Sequence, residues 1–240
     1  MPTLFKNIRR KLASENKTAA YLRYAMGEIL LVVIGILIAL QVNNWKEDIQ
    51  NHKLEKTTLE NIRSDLVLQQ GIIKNQLQFE SVIVAETDTA SLFLKSSLSI
   101  EKLDSLLMKL TWRLTFVENK TSYISMDNIG GKKLIRNSNL KNAIARYYQR
   151  LDYVTQVINN DNLFNTDSEF GAFVTSNSLN IKLNRNGQND KDQKISPEKR
   201  MELRNQLVTR KLVSQNIYKL CQGLQGKTKQ LIQLIDKELH

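Results

Sequence analysis

Twelve consecutive residues without a polar side chain, ILLVVIGILIAL from Ile29 to Leu40, leave few places where this chain can put them. Ala25 to Val42 extends the run to eighteen residues, interrupted only by Glu28 and Gln41. As a helix such a stretch rises about 27 Å, close to the roughly 30 Å hydrocarbon core of a bilayer. A buried core helix or a cleavable signal peptide would also use an apolar run. The flanks favour a membrane span: Tyr21, Tyr24 and Trp45 stand at its two ends like interfacial anchors, and basic residues crowd one side. Gln41, Val42, Asn43, Asn44 and Trp45 lack the small residues of a cleavage site. The expected organisation is a basic segment over residues 1–24, a transmembrane helix over 25–42 and an extracytoplasmic domain over 43–240.

Charge orients the span. Residues 1–24 carry Lys6, Arg9, Arg10, Lys11, Lys17 and Arg23 against Glu15 alone, so five of the net +11 lie beside the apolar run. Residues 43–62 carry only Lys46, Lys53 and Lys56. The N-terminus is therefore expected in the cytoplasm and the C-terminal domain in the periplasm, with the chain in the bacterial inner membrane. Leu4, Phe5, Ile8 and Leu12 recur at helical spacing among the basic residues, as in an amphipathic helix on the cytoplasmic leaflet.

Glu28 is costly to place, since a carboxylate within hydrocarbon is unfavourable by roughly 2.5 to 3.5 kcal/mol. Near the boundary it can reach the headgroups or meet Arg23 or Arg10. The sharper reading makes it a hydrogen-bonding contact to a partner helix, with Gly35 and Ala39 as a small-residue pair that permits close approach.

The stretch SENKTAAYLRYAMGEILLVVIGILIALQVNNWKED, residues 14–48, resembles a Bacteroidota family of membrane proteins of unknown function, whose signature reads YxxYAxGEIxLVVIGILIALQxNNWxE. Tyr21, Tyr24, Ala25, Gly27, Glu28, Ile29, Gln41, Asn43, Asn44, Trp45 and Glu47 carry the likeness. A looser one spans residues 123–148, through Tyr123, Gly130, Leu134, Ile135, Leu140, Tyr147 and Tyr148. The resemblance implies a single-pass topology with a helical extracytoplasmic region, and no activity.

Beyond the membrane the chain reads as all-α, with only 9 Gly and 2 Pro to punctuate it. Leu59, Ile62, Leu66, Ile73, Leu77 and Val84 recur at three- and four-residue spacing around a polar gap near Gln69. They predict a long helix entering a bundle or coiled-coil seam, with Gly71 inside it. Leu103, Leu106, Leu107 and Leu110 predict a shorter helix, Gly130 with Gly131 a turn, and Ser138 a cap for a helix through Leu151 and Val154. Residues 159–194 are expected to be irregular, with an apolar island at Phe164, Phe170, Phe173 and Val174 and a loop over 184–194. Ser196 and Pro197 open a last helix, expected to pack antiparallel on the long one.

No enzyme constellation is evident, and no catalytic, cofactor-binding or metal-binding residue is assigned. His52 and His240 match no familiar metal or triad spacing, and Cys221, alone, suits a small buried apolar position. Asp65 with Glu60 and Asp88 with Glu86 read as solvated charge. Of the adjacent Tyr147 and Tyr148, one is expected to face away from the core. Lys199, Arg200, Arg204, Arg210, Lys211, Lys219, Lys227 and Lys229 read as a solvated basic face. These features point to a non-enzymatic, membrane-anchored interaction or scaffold protein of the envelope. Its partners would be the bilayer, other envelope proteins and possible second copies of itself, not nucleic acid, which charge alone would favour. The alternative is a signal-input module acting through a partner, since only about 24 residues lie inside.

Overall fold

The computed structural model describes residues 18–95, 100–128, 130, 134–177 and 196–240. The basic residues Lys6 to Lys17, the amphipathic stretch from Leu4 to Leu12, Gly131 and the loop over 184–194 lie outside them. Among the described residues every regular element is helical: α1 (Thr18–Lys95), α2 (Ile100–Leu110), α3 (Thr121–Asn128), α4 (Ser138–Asp161), a π-helix (Asn162–Gly171), α5 (Ala172–Ser176) and α6 (Pro197–Leu239). The chain divides into two compact units, Met1–Glu55 and Lys56–His240.

In the first unit the N-terminal part of α1 presents its apolar side chains outward in every direction. From Ile29 to Trp45 each described residue is exposed. No side chain interrupts the run with a turn-forming signal, and the leucines, isoleucines and valines sustain a helix once it has begun.

The second unit has a core built on one repeat. On α1 the seam runs through the buried Leu59, Ile62, Leu66, Gln69, Ile73, Gln76, Glu80, Ile83, Thr87, Ala90 and Leu94, with Thr58 buried beside its start. The spacing of the seam residues alternates strictly between three and four, the seven-residue period that keeps one seam of a helix facing its neighbours. On α6 the same alternation runs Leu203, Leu207, Arg210, Ser214, Ile217, Cys221, Leu224, Thr228, Leu231 and Ile235. Side-chain bonds fix the register: Arg63 meets Asp236, Asp88 meets Lys211, and Arg200 donates to the carbonyl of Leu94. Numbers thus rise along α1 as they fall along α6. Leu77 and Val84, expected in the seam, are half-buried beside it, because the polar Gln76 and the neighbouring Ile83 hold the seam positions.

α4 follows the alternation through Leu140, Ile144, Tyr147, Leu151, Val154 and Ile158, and is capped by Asn137, whose side chain accepts the amides of Asn139 and Leu140. Ser138, the expected cap, is the first helical residue instead. After Ile158 the buried positions become Asn162, Thr166, Phe170 and Val174, each four residues on. In an α-helix each such step turns the stripe about 40° too far, and several steps would carry it off the core. The wider turn of the π-helix over Asn162–Gly171 absorbs that drift. Composition suggests irregular structure from residue 159 onward; through Ser176 the chain is helical, and Asn159 and Asn162 bond the backbone of the segment between α2 and α3.

Tyr147 and Tyr148 are both buried, against the expectation that one faces outward. α4 has neighbours on two sides: the Tyr147 hydroxyl bonds to Thr228 on α6 at 3.0 Å, while the Tyr148 ring stacks on Tyr123 of α3, centroids 4.1 Å apart. Gly130, at φ +70°, makes the turn after α3. Ser196 accepts the amide of Lys199 and Pro197 begins α6, as its sequence indicates.

Candidate functional site

Two places in the chain carry polar groups that cost free energy to bury, or apolar groups that cost free energy to expose. The first is the apolar part of α1. Its most apolar eighteen-residue window has mean hydropathy 2.4 and is 0% buried, so by length and composition this helix can cross a membrane. Glu28 is half-buried, while Gly35 and Ala39 lie bare on the surface of the helix; a Cβ at Gly35 would meet nothing within 4 Å. Trp45, at the other end, is 69% exposed. Asn43 donates to the Glu47 carboxylate one turn on, at 3.1 Å, which ties this junction together locally. Tyr21 and Tyr24 lie on α1, and their side chains are outside the described ones.

The second place is a polar layer inside the other unit. Arg210, assigned above to a solvated face, is 2% exposed. The seven-residue repeat of α6 puts position 210 in the seam between Leu207 and Ser214, and no apolar residue is there to fill it. Its guanidinium donates from Nε to the Leu110 carbonyl at 3.0 Å, from Nη2 to the Trp112 carbonyl at 3.0 Å, and from Nη1 to Ser214 Oγ at 2.7 Å. Glu80, 1% exposed on α1, is the neighbouring charge; Gln76 donates to its Oε1 at 2.8 Å. Burial pushes the Glu80 carboxyl above the usual carboxylate range, against the opposing pull of Ser214, Arg210 and Gln76. Burial likewise lowers Arg210, which Glu80 counteracts.

Arg210 is one of a series of side chains that grip the extended strap of residues 111–120 between α2 and α3. Asn162 donates to the Leu114 carbonyl at 3.1 Å. Asn159 both accepts from the Phe116 amide at 3.2 Å and donates to its carbonyl at 3.1 Å. Gln69 accepts the Asn119 amide at 2.7 Å, and Asp65, read from sequence as solvated charge, accepts the amide of Ser122 at 2.7 Å in the first turn of α3. The strap is neither strand nor helix, and where it meets the core at the buried Phe116 and the half-buried Asn119 these side chains bond its backbone.

Burial holds a thiol and two phenols of this unit in their neutral forms. Burial raises the Cys221 thiol to about 12, so at neutral pH it stays protonated and unreactive as a nucleophile. The Tyr147 hydroxyl is raised to about 12 by burial, and Tyr148 further. In the first unit His52 lies 3.5 Å from Glu55 one turn on. Among the described residues no three His, Cys, Asp or Glu side chains are grouped to hold a metal.

A family profile matches residues 28–215 of the chain, from within the apolar helix to the middle of α6. The chain belongs to the Family of unknown function (DUF6090). The DUF6090 region opens at Glu28 and takes in Gly35, Ala39, Trp45, the strap, its asparagine clamps, Glu80 and Arg210. Tyr21 and Tyr24 precede it, and Cys221 and Thr228 follow it. No curated protein and no solved structure matches the chain. The sequence pointed to Glu28, Gly35, Ala39 and the aromatic flanks, and missed the Glu80–Arg210 layer. The signal for it was present: charged and hydroxylic residues at positions 80, 210 and 214, at which the three-four alternation requires burial.

Proposed function

We propose that this DUF6090 protein is a non-enzymatic, membrane-anchored interaction or scaffold protein of a bacterial envelope, of the Bacteroidota type. Its N-terminus is cytoplasmic, its apolar helix spans the inner membrane once, and residues after Trp45 form a periplasmic antiparallel helical bundle with a coiled-coil-like seam. The observation that carries this reading is the eighteen-residue window of mean hydropathy 2.4, none of it buried. Exposing that much aliphatic surface to water is unfavourable in proportion to its area, whereas a bilayer removes the penalty. The interaction role draws on a second apolar surface. Trp112 and Val117 on the strap and Phe164 on the π-helix are 67, 62 and 61% exposed, and the Arg113–Asp167 ion pair and the Asn162–Leu114 bond bring these elements together.

Glu28 with Gly35 and Ala39 forms, in this reading, a contact face for a second copy within the membrane, where a polar group gains from a hydrogen-bonding partner. Reporter fusions after residue 20 and at the C-terminus should report cytoplasm and periplasm respectively; the reverse pattern refutes the topology. Single-cysteine variants along the span, made in a Cys221→Ala background, should crosslink as dimers in whole cells and lose the crosslink with Glu28→Leu. A monomer throughout would remove the homodimer, and a monodisperse monomer free of envelope proteins after crosslinking would remove the scaffold role.

A further inference from the structure

Between α4 and α6 lies a cleft of about 340 Å3, apart from the polar layer around Arg210. Its floor is apolar. Tyr147 and Leu231 are buried there, with Ala143 and Leu234 beside them. The Tyr147 hydroxyl is already bonded to Thr228, which leaves the ring as its contribution to the cleft. The polar rim consists of Arg146 on α4 and Lys227 and Gln230 on α6, and no lining residue is acidic.

Arg63, Lys109, Arg113, Lys120 and Lys211 each meet a carboxylate. Arg146 and Lys227 take part in no ion pair among the described residues, although two helices bring them to one hollow. Two cations over a shared apolar floor repel each other and attract an anion. A second observation lies on the same stripe of α6. Gly223 and Gly226 precede Lys227, Gln230 and Leu234 at helical spacing, and a Cβ at either glycine would meet nothing within 4 Å. Packing within the chain therefore does not call for glycine, although glycine weakens a helix interior. Gly223 and Gly226, both exposed, leave α6 bare of side chains one turn before Lys227 and Gln230 respectively.

We infer that this cleft binds a small organic anion with an apolar tail, its head held by Arg146 and Lys227 and its tail against Tyr147, Leu231 and Leu234. The volume lies at the lower end of the range for ligand sites, which suits a short tail better than a nucleotide. The inference is independent of the topology and scaffold role proposed above.

The test uses the full chain in discs of zwitterionic lipid, with labelled leucine methyls followed by NMR as hexanoate is added. Saturable shifts at Leu231 and Leu234, with Leu151 and Leu207 unmoved, are the expected result. Hexanol, which has the tail without the charge, and inorganic phosphate, which has the charge without the tail, should each bind about tenfold more weakly or worse. The double variant Arg146→Gln/Lys227→Gln, at two exposed positions that leave the core intact, should lose about tenfold in hexanoate affinity. The same shifts produced by anionic lipid in the disc without hexanoate, and lost in the double variant, would assign the same site to a lipid rather than a free anion. No saturable shift at millimolar hexanoate, equal binding by the double variant, or equal binding of hexanol would overturn the inference.

Discussion

Arg210 reaches 100 residues back along the chain to donate its Nε–H to the carbonyl of Leu110, where α2 ends and the strap begins. The same guanidinium holds Trp112 and stands against Glu80, so one buried charge on α6 ties together α1, the end of α2 and the start of the strap. Replacing Arg210 by Met leaves Glu80 without its counter-charge and two carbonyls without their donor. Each buried acceptor left without its donor costs about 1 to 3 kcal/mol, a loss that Arg210→Met should show as a lower urea midpoint. Adding Glu80→Leu should recover part of the loss. Equal midpoints for wild type and Arg210→Met would show that the layer contributes nothing.

Glu80 also predicts a pH dependence. Its folded-state carboxyl is raised above the ordinary 4.5 by burial, so the folded chain binds this proton more tightly than the unfolded chain does. The stability it contributes is complete below pH 4.5 and is lost as pH rises through the raised folded value. Asp161, also raised by burial, acts in the same direction. Urea midpoints of wild type and Glu80→Gln, measured from about pH 4.5 upward, should diverge in favour of the variant as pH rises. A constant difference would mean that Glu80 does not titrate in that window.

The clamp of Asn159 on Phe116 should be visible one amide at a time. Asn159→Ala removes both bonds to that residue and leaves a part-buried N–H unpaired, at a cost of about 1 to 3 kcal/mol. Hydrogen exchange at the Phe116 amide should accelerate accordingly. Asn165→Ala, which loses only a bond to Asp161 one turn away, should leave that amide unchanged.

Two glycines should respond to alanine with opposite signs. At Gly171 a new Cβ would sit 3.0 Å from the Thr166 carbonyl oxygen, and crowding of this kind costs about 1 to 3 kcal/mol. At Gly71, exposed within α1, a Cβ meets nothing within 4 Å, so alanine should stabilise by about 0.4 to 1 kcal/mol. Thermal unfolding of the two variants beside wild type distinguishes the signs. A stabilising Gly171→Ala would mean that the π-helix relaxes at no cost.

The sequence alone determined the all-helical class, the apolar run, the start of α6 at Ser196 and Pro197, and most apolar members of the seam, because these depend on local spacing and composition. Ile158, Asn162, Thr166, Phe170 and Val174 show where that reading stopped. Their four-residue interval fits no α-helical face, and only neighbours on both sides of α4 decide that the backbone widens to keep them inward. The expectations that one of Tyr147 and Tyr148 faces outward and that Arg210 lies on a solvated face follow from each residue's own helix and fail for both. The Tyr148 ring is covered by stacking on Tyr123, and the Arg210 guanidinium is held by the Leu110 and Trp112 carbonyls, by Ser214 one turn on and by the charge of Glu80. Partners of that kind, 25 to 130 residues away for Tyr123 and Glu80, leave no periodic trace around the residue they satisfy, and the tertiary structure alone brings them together.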